Sequence, residues 1–127
     1  MLILTGPNTG GKTVLLKSIG LAALMHQCGL PIAAAEGSKL PVFERLYADI
    51  GDEQSNQQNL STLSGHISRM KKFLSGASEK TLILVDELGA GTDPQEGAAL
   101  GRAMLSHFLD SGALSLVTTH LGSLKDF

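Results

Sequence analysis

"GPNTGGKT", residues 6 to 13, places three glycines and a proline in a run of eight. Glycine costs backbone entropy and proline removes a hydrogen-bond donor, so an ordinary turn has no need of both at this density. The run fits the pattern G-x-x-x-x-G-K-[ST]. Its flanks are the ones that pattern requires. Leu2-Ile3-Leu4 before it is a short apolar run that reads as a buried strand. After it, from Gly11 to about Cys28, apolar residues recur at helical spacing at Val14, Leu15, Ile19, Ala22 and Ala23, and Gly29 closes the helix. In such a loop Gly6, Pro7, Asn8, Thr9, Gly10 and Gly11 turn successive backbone N–H groups inward to cradle phosphate oxygens, and the helix adds its positive dipole end. Lys12 is expected on the β- and γ-phosphates of a nucleotide, and the Thr13 hydroxyl on Mg²⁺. The bland alternative, a glycine-rich turn with a chance Lys-Thr, does not account for both flanks.

Outward from this loop, three more stretches carry chemistry. Leu82-Ile83-Leu84-Val85 is a second apolar run, and it ends in Asp86-Glu87. A carboxylate at the end of a buried strand is costly unless it meets a cation. Asp86 therefore suits the acidic residue that holds Mg²⁺, and Glu87 the base that orients an attacking water. Leu114 to Thr118 is a further strand, followed by Thr119 and His120. In open parallel sheets ligands bind at the carboxyl ends of strands, which makes His120 a candidate γ-phosphate contact. Asn59 to His66 opens a helix that runs to about Leu74. Ser61 there is either an ordinary N-cap or a phosphate contact offered to a nucleotide held by another subunit.

The rest of the chain is organised around these pieces. Residues 30 to 42 read as a loop, Phe43 to Ile50 as an edge strand, and Asp52 to Asn59 as an exposed polar loop. Asp93-Pro94-Gln95-Glu96 opens a helix that runs to about Asp110, with Asp93 as cap and Pro94 in the first turn. Short apolar strands alternating with amphipathic helices imply a parallel sheet covered on both faces. The strand ending at Thr118 is expected between the Leu2–Leu4 and Thr81–Val85 strands, which would set His120 between the loop and Asp86. The length of 127 residues suits one small domain, and so few strands suggest part of a larger protein. Net charge of −2 does not advertise nucleic-acid binding by these residues. The cluster at Arg69, Lys71 and Lys72 reads as a solvated helix face. The lone Cys28 excludes an internal disulfide and fits a reducing cytoplasm. No membrane span or secretory leader is expected.

Together GPNTGGKT, DIGDEQS at 49–55, NLSTLSGH at 59–66, LVDELGAGTDPQEGAAL at 84–100 and TTHLGSLK at 118–125 resemble the ATPase domain of the MutS family over nearly the whole chain. DELGAGTDPQEG and DIGDEQS are similar to the second bacterial branch of that family. The mismatch-recognition branch has an Arg after DELG and a serine-rich continuation, where this chain has Ala90 and Thr92-Asp93-Pro94. The resemblance implies an α/β P-loop NTPase fold with an ABC-like parallel sheet, here a truncated core. It implies ATP and Mg²⁺ as cofactors and a homodimer formed through the ATPase domain. Each ATP would lie between one subunit's P-loop and the other's signature segment, with Ser61 as signature serine and Gly91 to Asp93 facing the partner. It also implies clamp and coiled-coil regions, a small nuclease-type domain after the ATPase, and action on DNA in recombination control or on stalled ribosomes. All of that lies outside these residues, as do the strands that hold the adenine.

Rival readings are weaker. A clamp ATPase of the SMC or Rad50 type needs a long coiled coil between P-loop and signature, and only Val14 to Leu60 intervene. A GTPase needs N-K-x-D, which is absent. A small-molecule kinase needs an arginine-bearing lid, and no insertion here could form one. A nucleotide-switched scaffold with negligible hydrolysis stays open.

Overall fold

The computed structural model describes residues 1–6, 10–51 and 63–124, with side chains from residue 67 onward in the last stretch. The elements alternate: β1 (Leu2–Thr5), α1 (Lys12–Gln27), β2 (Arg45–Asp49), α2 (Leu63–Gly76), β3 (Thr81–Val85), α3 (Pro94–Asp110) and β4 (Leu114–Thr119). The four strands form one sheet in the order β1-β4-β3-β2. Every pairing is parallel. The last strand thus lies between the first and third, as the placement of His120 requires.

Residue parity along the strands builds the two layers, because successive side chains point to opposite faces. Leu82, Leu84 and Leu116 face α1, where they bury Leu16 and Ala23 together with Phe43. Ile83, Val85 and Val117 face the other way, onto Met70 and Phe73 of α2 and Met104, Leu105 and Phe108 of α3. Tyr47 of β2 stacks on Phe73, ring centroids 5.1 Å apart. β3 is buried at all five positions, as a central strand covered on both faces should be. Asp93 caps α3 by accepting from the N–H groups of Gln95 and Glu96, and Pro94 fills the first position, where its missing donor is not wanted.

Two expectations need correction. Leu2–Leu4 is not a buried strand: among the described residues β1 is an edge strand paired to β4, and Leu2 is 50% exposed. The face that α1 buries matches the expected one only in part: Ala23 is buried and Ile19 packs beside it. It is drawn by Leu16, Gly20 and Ala23, while Val14, at 65% exposed, and Leu15 point outward. The helix is apolar nearly all round, so periodicity alone could not choose the inner face. Gly20 helps to choose it: a Cβ there would come within 2.8 Å of the end of the Leu84 side chain, so glycine lets the helix lie close to the sheet without displacing that leucine.

Candidate functional site

The site lies along the carboxyl edge of the sheet, and register sets its geometry. The paired residues end at Thr5 with Thr119 and at Val85 with Val117. One step further, Gly6 comes level with His120, and Asp86 with Thr118. By parity Asp86 and Thr118 belong to the face that carries α1, so Asp86 meets the start of that helix.

That meeting is made by hydrogen bonds. The Thr13 hydroxyl donates to one Asp86 carboxylate oxygen, Oδ2, at 2.6 Å. The Thr118 hydroxyl donates to the other, Oδ1, at 2.5 Å. Asp86 is 9% exposed, and both of its oxygens are engaged. The backbone N–H of Asp86 donates to the Asp49 carbonyl at 2.9 Å, anchoring the turn to β2. On the loop side, Gly6 has φ 141° and Gly11 has φ 73°, conformations that favour glycine. Gly11 precedes α1 with no side-chain cap, and no acidic residue occupies the first turn. The N–H groups of that turn therefore keep their affinity for an anion. Lys12 is 9% exposed, and its ammonium donates to the Gly6 carbonyl at 2.6 Å, across the base of the loop. Pro7, Asn8 and Thr9 lie outside the described residues.

Glu87 follows with φ 54°, the single non-glycine residue in the left-handed region among the described residues. Its N–H donates to the Thr118 hydroxyl at 2.8 Å, and the next N–H, of Leu88, donates to the Thr118 carbonyl at 2.8 Å. The Thr119 hydroxyl donates to the Leu88 carbonyl at 3.0 Å and accepts from the Leu121 N–H. The loop then passes Gly89 and Gly91, both with positive φ, to the Asp93 cap. Gly89 and Gly97 of α3 press backbone to backbone: a Cβ on Gly97 would fall 2.2 Å from the Gly89 carbonyl oxygen. His120 is exposed at the end of β4, on the edge shared with Gly6 and Glu87. On the far side Asp49 pairs with Arg69 of α2, Nε to Oδ1 at 2.9 Å. A cleft lined by Asp49, Asp86, Glu87, Met70, Leu100 and Met104 opens beside this pair.

Lys12, Thr13, Asp86, Glu87 and His120 are thus gathered on one edge, with Gly6, Gly10 and Gly11 at the loop's ends. Ser61 lies outside the described residues, as do residues 59, 60 and 62 of the segment proposed as a signature.

The family model described as MutS domain V matches residues 2–127. The chain belongs to the MutS family. It is 55% identical over 126 residues, 99% of its length, to "Endonuclease MutS2" of Halothermothrix orenii. It is 59% identical over 127 residues, all of its length, to the protein of that name from Thermomicrobium roseum, and 56% identical over 124 residues, 98% of its length, to the one from Aquifex aeolicus. In each case the chain spans 16% of the relative's own length. As a MutS domain V the chain carries the four-stranded parallel α/β core expected of it, compatible with a P-loop ATPase.

Reading the residues one motif at a time missed three parts of this edge: Thr118, whose hydroxyl touches both acidic residues, Thr119, and the Asp49–Arg69 pair. The doubled Thr-Thr before His120 was the available signal for the first two. No described helix is long and apolar enough to cross a membrane.

Proposed function

We propose that this chain binds ATP with Mg²⁺ and hydrolyses it, as the ATPase core of a protein of the MutS2 kind. The observation that carries the reading is the Thr13–Asp86 hydrogen bond, 2.6 Å across 73 residues of sequence. It brings the hydroxyl that ends the P-loop pattern against the carboxylate that ends β3. A threonine that donates its proton to Asp86 keeps its oxygen lone pairs for a cation. One hydroxyl and one carboxylate suit a hard ion that retains most of its water, which is the habit of Mg²⁺. Mg²⁺, when bound, supplies charge neutralisation across the β- and γ-phosphates. The open space around Gly6, Gly10 and Gly11, where a Cβ would touch nothing among the described residues within 4 Å, fits a phosphate tail laid against the backbone.

The residues then divide the work. Lys12 holds the phosphate tail by a charge-assisted contact. The uncapped start of α1 binds its oxygens. Thr13 and Asp86 hold the cation. Glu87 accepts a proton from the attacking water, and His120 contacts the γ-phosphate. Ser61 acts in trans, from the second subunit of a homodimer that sandwiches ATP. Action on DNA in recombination control, or on stalled ribosomes, and any nuclease activity belong to regions outside these residues. The relatives' name supports the nuclease, and the resemblance supports the rest. A cytoplasmic location accords with this role.

The test is Glu87→Gln in the full-length protein. It is expected to keep ATP binding and to lose turnover by about 10²–10⁴-fold, the usual contribution of a general base. Tight ATP binding by the wild type with no phosphate release would instead identify a nucleotide-switched scaffold. Unchanged hydrolysis in the variant would remove Glu87 from its role.

A further inference from the structure

Thr118 is fully buried at the end of the central strand β4, and it touches three successive residues of the turn that carries the acidic pair. Its hydroxyl proton goes to Asp86 Oδ1. Its hydroxyl oxygen accepts the Glu87 N–H at 2.8 Å, and its carbonyl accepts the Leu88 N–H at 2.8 Å. A hydroxyl has one proton and two lone pairs, so this single group can donate to Asp86 and accept from Glu87 at the same time. The donated proton orients the Asp86 carboxylate, and the accepted one fixes the peptide that enters Glu87. That peptide needs fixing. Glu87 sits at φ 54°, a strained conformation for a non-glycine residue that persists only where its surroundings over-determine it.

We propose that Thr118 is a positioning residue for the ATPase reaction: its hydroxyl couples the cation-holding carboxylate of Asp86 to the backbone of the base Glu87, so that the two are set in one geometry. This rests on the ATPase reading above. Other side chains support the turn but cannot replace this bond. Thr13 holds the other oxygen of Asp86, and the Thr119 hydroxyl is engaged with the Leu88 carbonyl and the Leu121 N–H. Valine in place of Thr118 would preserve shape and burial while leaving a buried carboxylate oxygen and a buried N–H without that partner. Asp86 would then turn toward Thr13, and the peptide that enters Glu87 would lose one of the contacts that hold its strained backbone. Serine would keep the hydroxyl and lose a methyl group.

The experiment compares wild type, Thr118→Val and Thr118→Ser in the full-length protein, measuring phosphate release against ATP and against Mg²⁺, binding of a non-hydrolysable ATP analogue, and thermal melting. Misplacement of a catalytic group by about 1 Å costs on the order of 10²-fold. The expected result is a kcat lower by about 10²-fold in Thr118→Val, a KM for ATP within about threefold of wild type, and a raised Mg²⁺ midpoint. Thr118→Ser should recover most of the kcat and the Mg²⁺ midpoint. If the valine variant does not fold, Thr118→Ala takes its place with the same expectation. A valine or alanine variant with wild-type kcat and Mg²⁺ dependence would overturn the proposal, as would a serine variant no better than valine. A loss of melting temperature with kcat intact would reduce Thr118 to a structural role. If the wild type binds the analogue but releases no phosphate, the ATPase reading fails and the proposal with it. Hydrolysis in the wild type with an unaltered valine variant removes the proposal alone.

Discussion

Replacing Gly97 by alanine tests whether the close approach of α3 to the loop after Glu87 sets the site. Gly20, Gly97 and Gly101 each lie within a helix and near other atoms, and they differ in what a new methyl group would meet. At Gly20 it would meet the end of the Leu84 side chain at 2.8 Å, and at Gly101 the end of the Leu124 side chain at 2.8 Å. Flexible side-chain ends can move by a few tenths of an ångström at low cost. Alanine is favoured over glycine in a helix interior by about 1 kcal/mol, so Gly20→Ala and Gly101→Ala should stay within about 1 kcal/mol of wild type. At Gly97 the obstacle is the Gly89 carbonyl oxygen, 2.2 Å from the new Cβ, well inside the 3.0 Å that real Cβ contacts respect. Either α3 or the backbone at Gly89 must move by most of an ångström. Overpacking costs about 1–3 kcal/mol, and an obstacle made of backbone belongs at the upper end. After the helical gain the net loss should be about 1–2 kcal/mol. The movement falls two residues from Glu87, so turnover should drop more than stability does, toward the roughly 10²-fold expected of a misplaced catalytic group. Urea denaturation at matched protein concentration gives the first quantity, and steady-state phosphate release by the full-length protein gives the second. A Gly97→Ala variant as stable and as active as Gly20→Ala would refute the reasoning.

The other predictions bear on single contacts. Lys12→Ala should weaken nucleotide binding itself, because it removes a charge-assisted ground-state contact, whereas Glu87→Gln should spare it; equilibrium titration with a fluorescent ATP analogue separates the two. Asp49→Asn or Arg69→Ala should loosen α2 from the sheet edge and lower turnover, and the exchanged pair Asp49→Arg with Arg69→Asp should recover part of the loss in the same assay, since the two side chains meet as an ion pair, Nε to Oδ1 at 2.9 Å. The 127-residue chain on its own should self-associate through the open edge of β1 and the outer face of α1, where Leu2, Val14, Leu21 and Leu24 are each at least half exposed; sedimentation should detect this, and Val14→Lys with Leu21→Lys should abolish it. Hydrogen bonding to Lys80 holds the Glu44 carboxyl below its ordinary value, so its stabilisation is present above the unfolded carboxylate value near 4.5 and is lost as pH falls through the lower folded value. Both partners are fully exposed, so the contribution is small: in urea denaturation Glu44→Gln should be slightly less stable than wild type at neutral pH, and the difference should vanish as pH falls through the carboxylate range.

Much of this edge could be read in the sequence because its signals are local. A P-loop declares itself in eight consecutive residues, and Asp86-Glu87 and His120 each end an apolar run. The Asp93 cap was legible for the same reason. What stayed hidden depends on the third dimension. Asp49 and Arg69 are unremarkable in a polar stretch and a basic cluster, and only the stacking of α2 on β2, through Tyr47 and Phe73, brings them together. The left-handed backbone of Glu87 has no sequence signal, since nothing distinguishes it from a glutamate in an ordinary turn. The inner face of α1 was ambiguous because leucines and alanines surround the helix, and a residue that helps to choose it is a glycine, which hydrophobic periodicity does not weigh.

Strand order explains why the coupling residue should be a threonine of β4 and not of another strand. In the order β1-β4-β3-β2, β4 is the strand that separates the P-loop strand from the strand of the acidic pair. A group on the P-loop side of the acidic turn must therefore hang from β4 or reach across it. Thr13 reaches from the helix on one face, and Thr118 reaches from within the sheet, so Asp86 is held from two directions by two hydroxyls. Parity divides the two adjacent threonines. Thr118 lies on the α1 face with Asp86, and Thr119 serves the opposite face, where it holds the Leu88 carbonyl and with it the path toward α3. A shift of β4 by one residue would exchange these faces and break both sets of bonds at once. The register that buries Leu116 and Val117 in the two cores is thus the same register that sets the acidic turn, and core packing and site geometry are fixed by one strand.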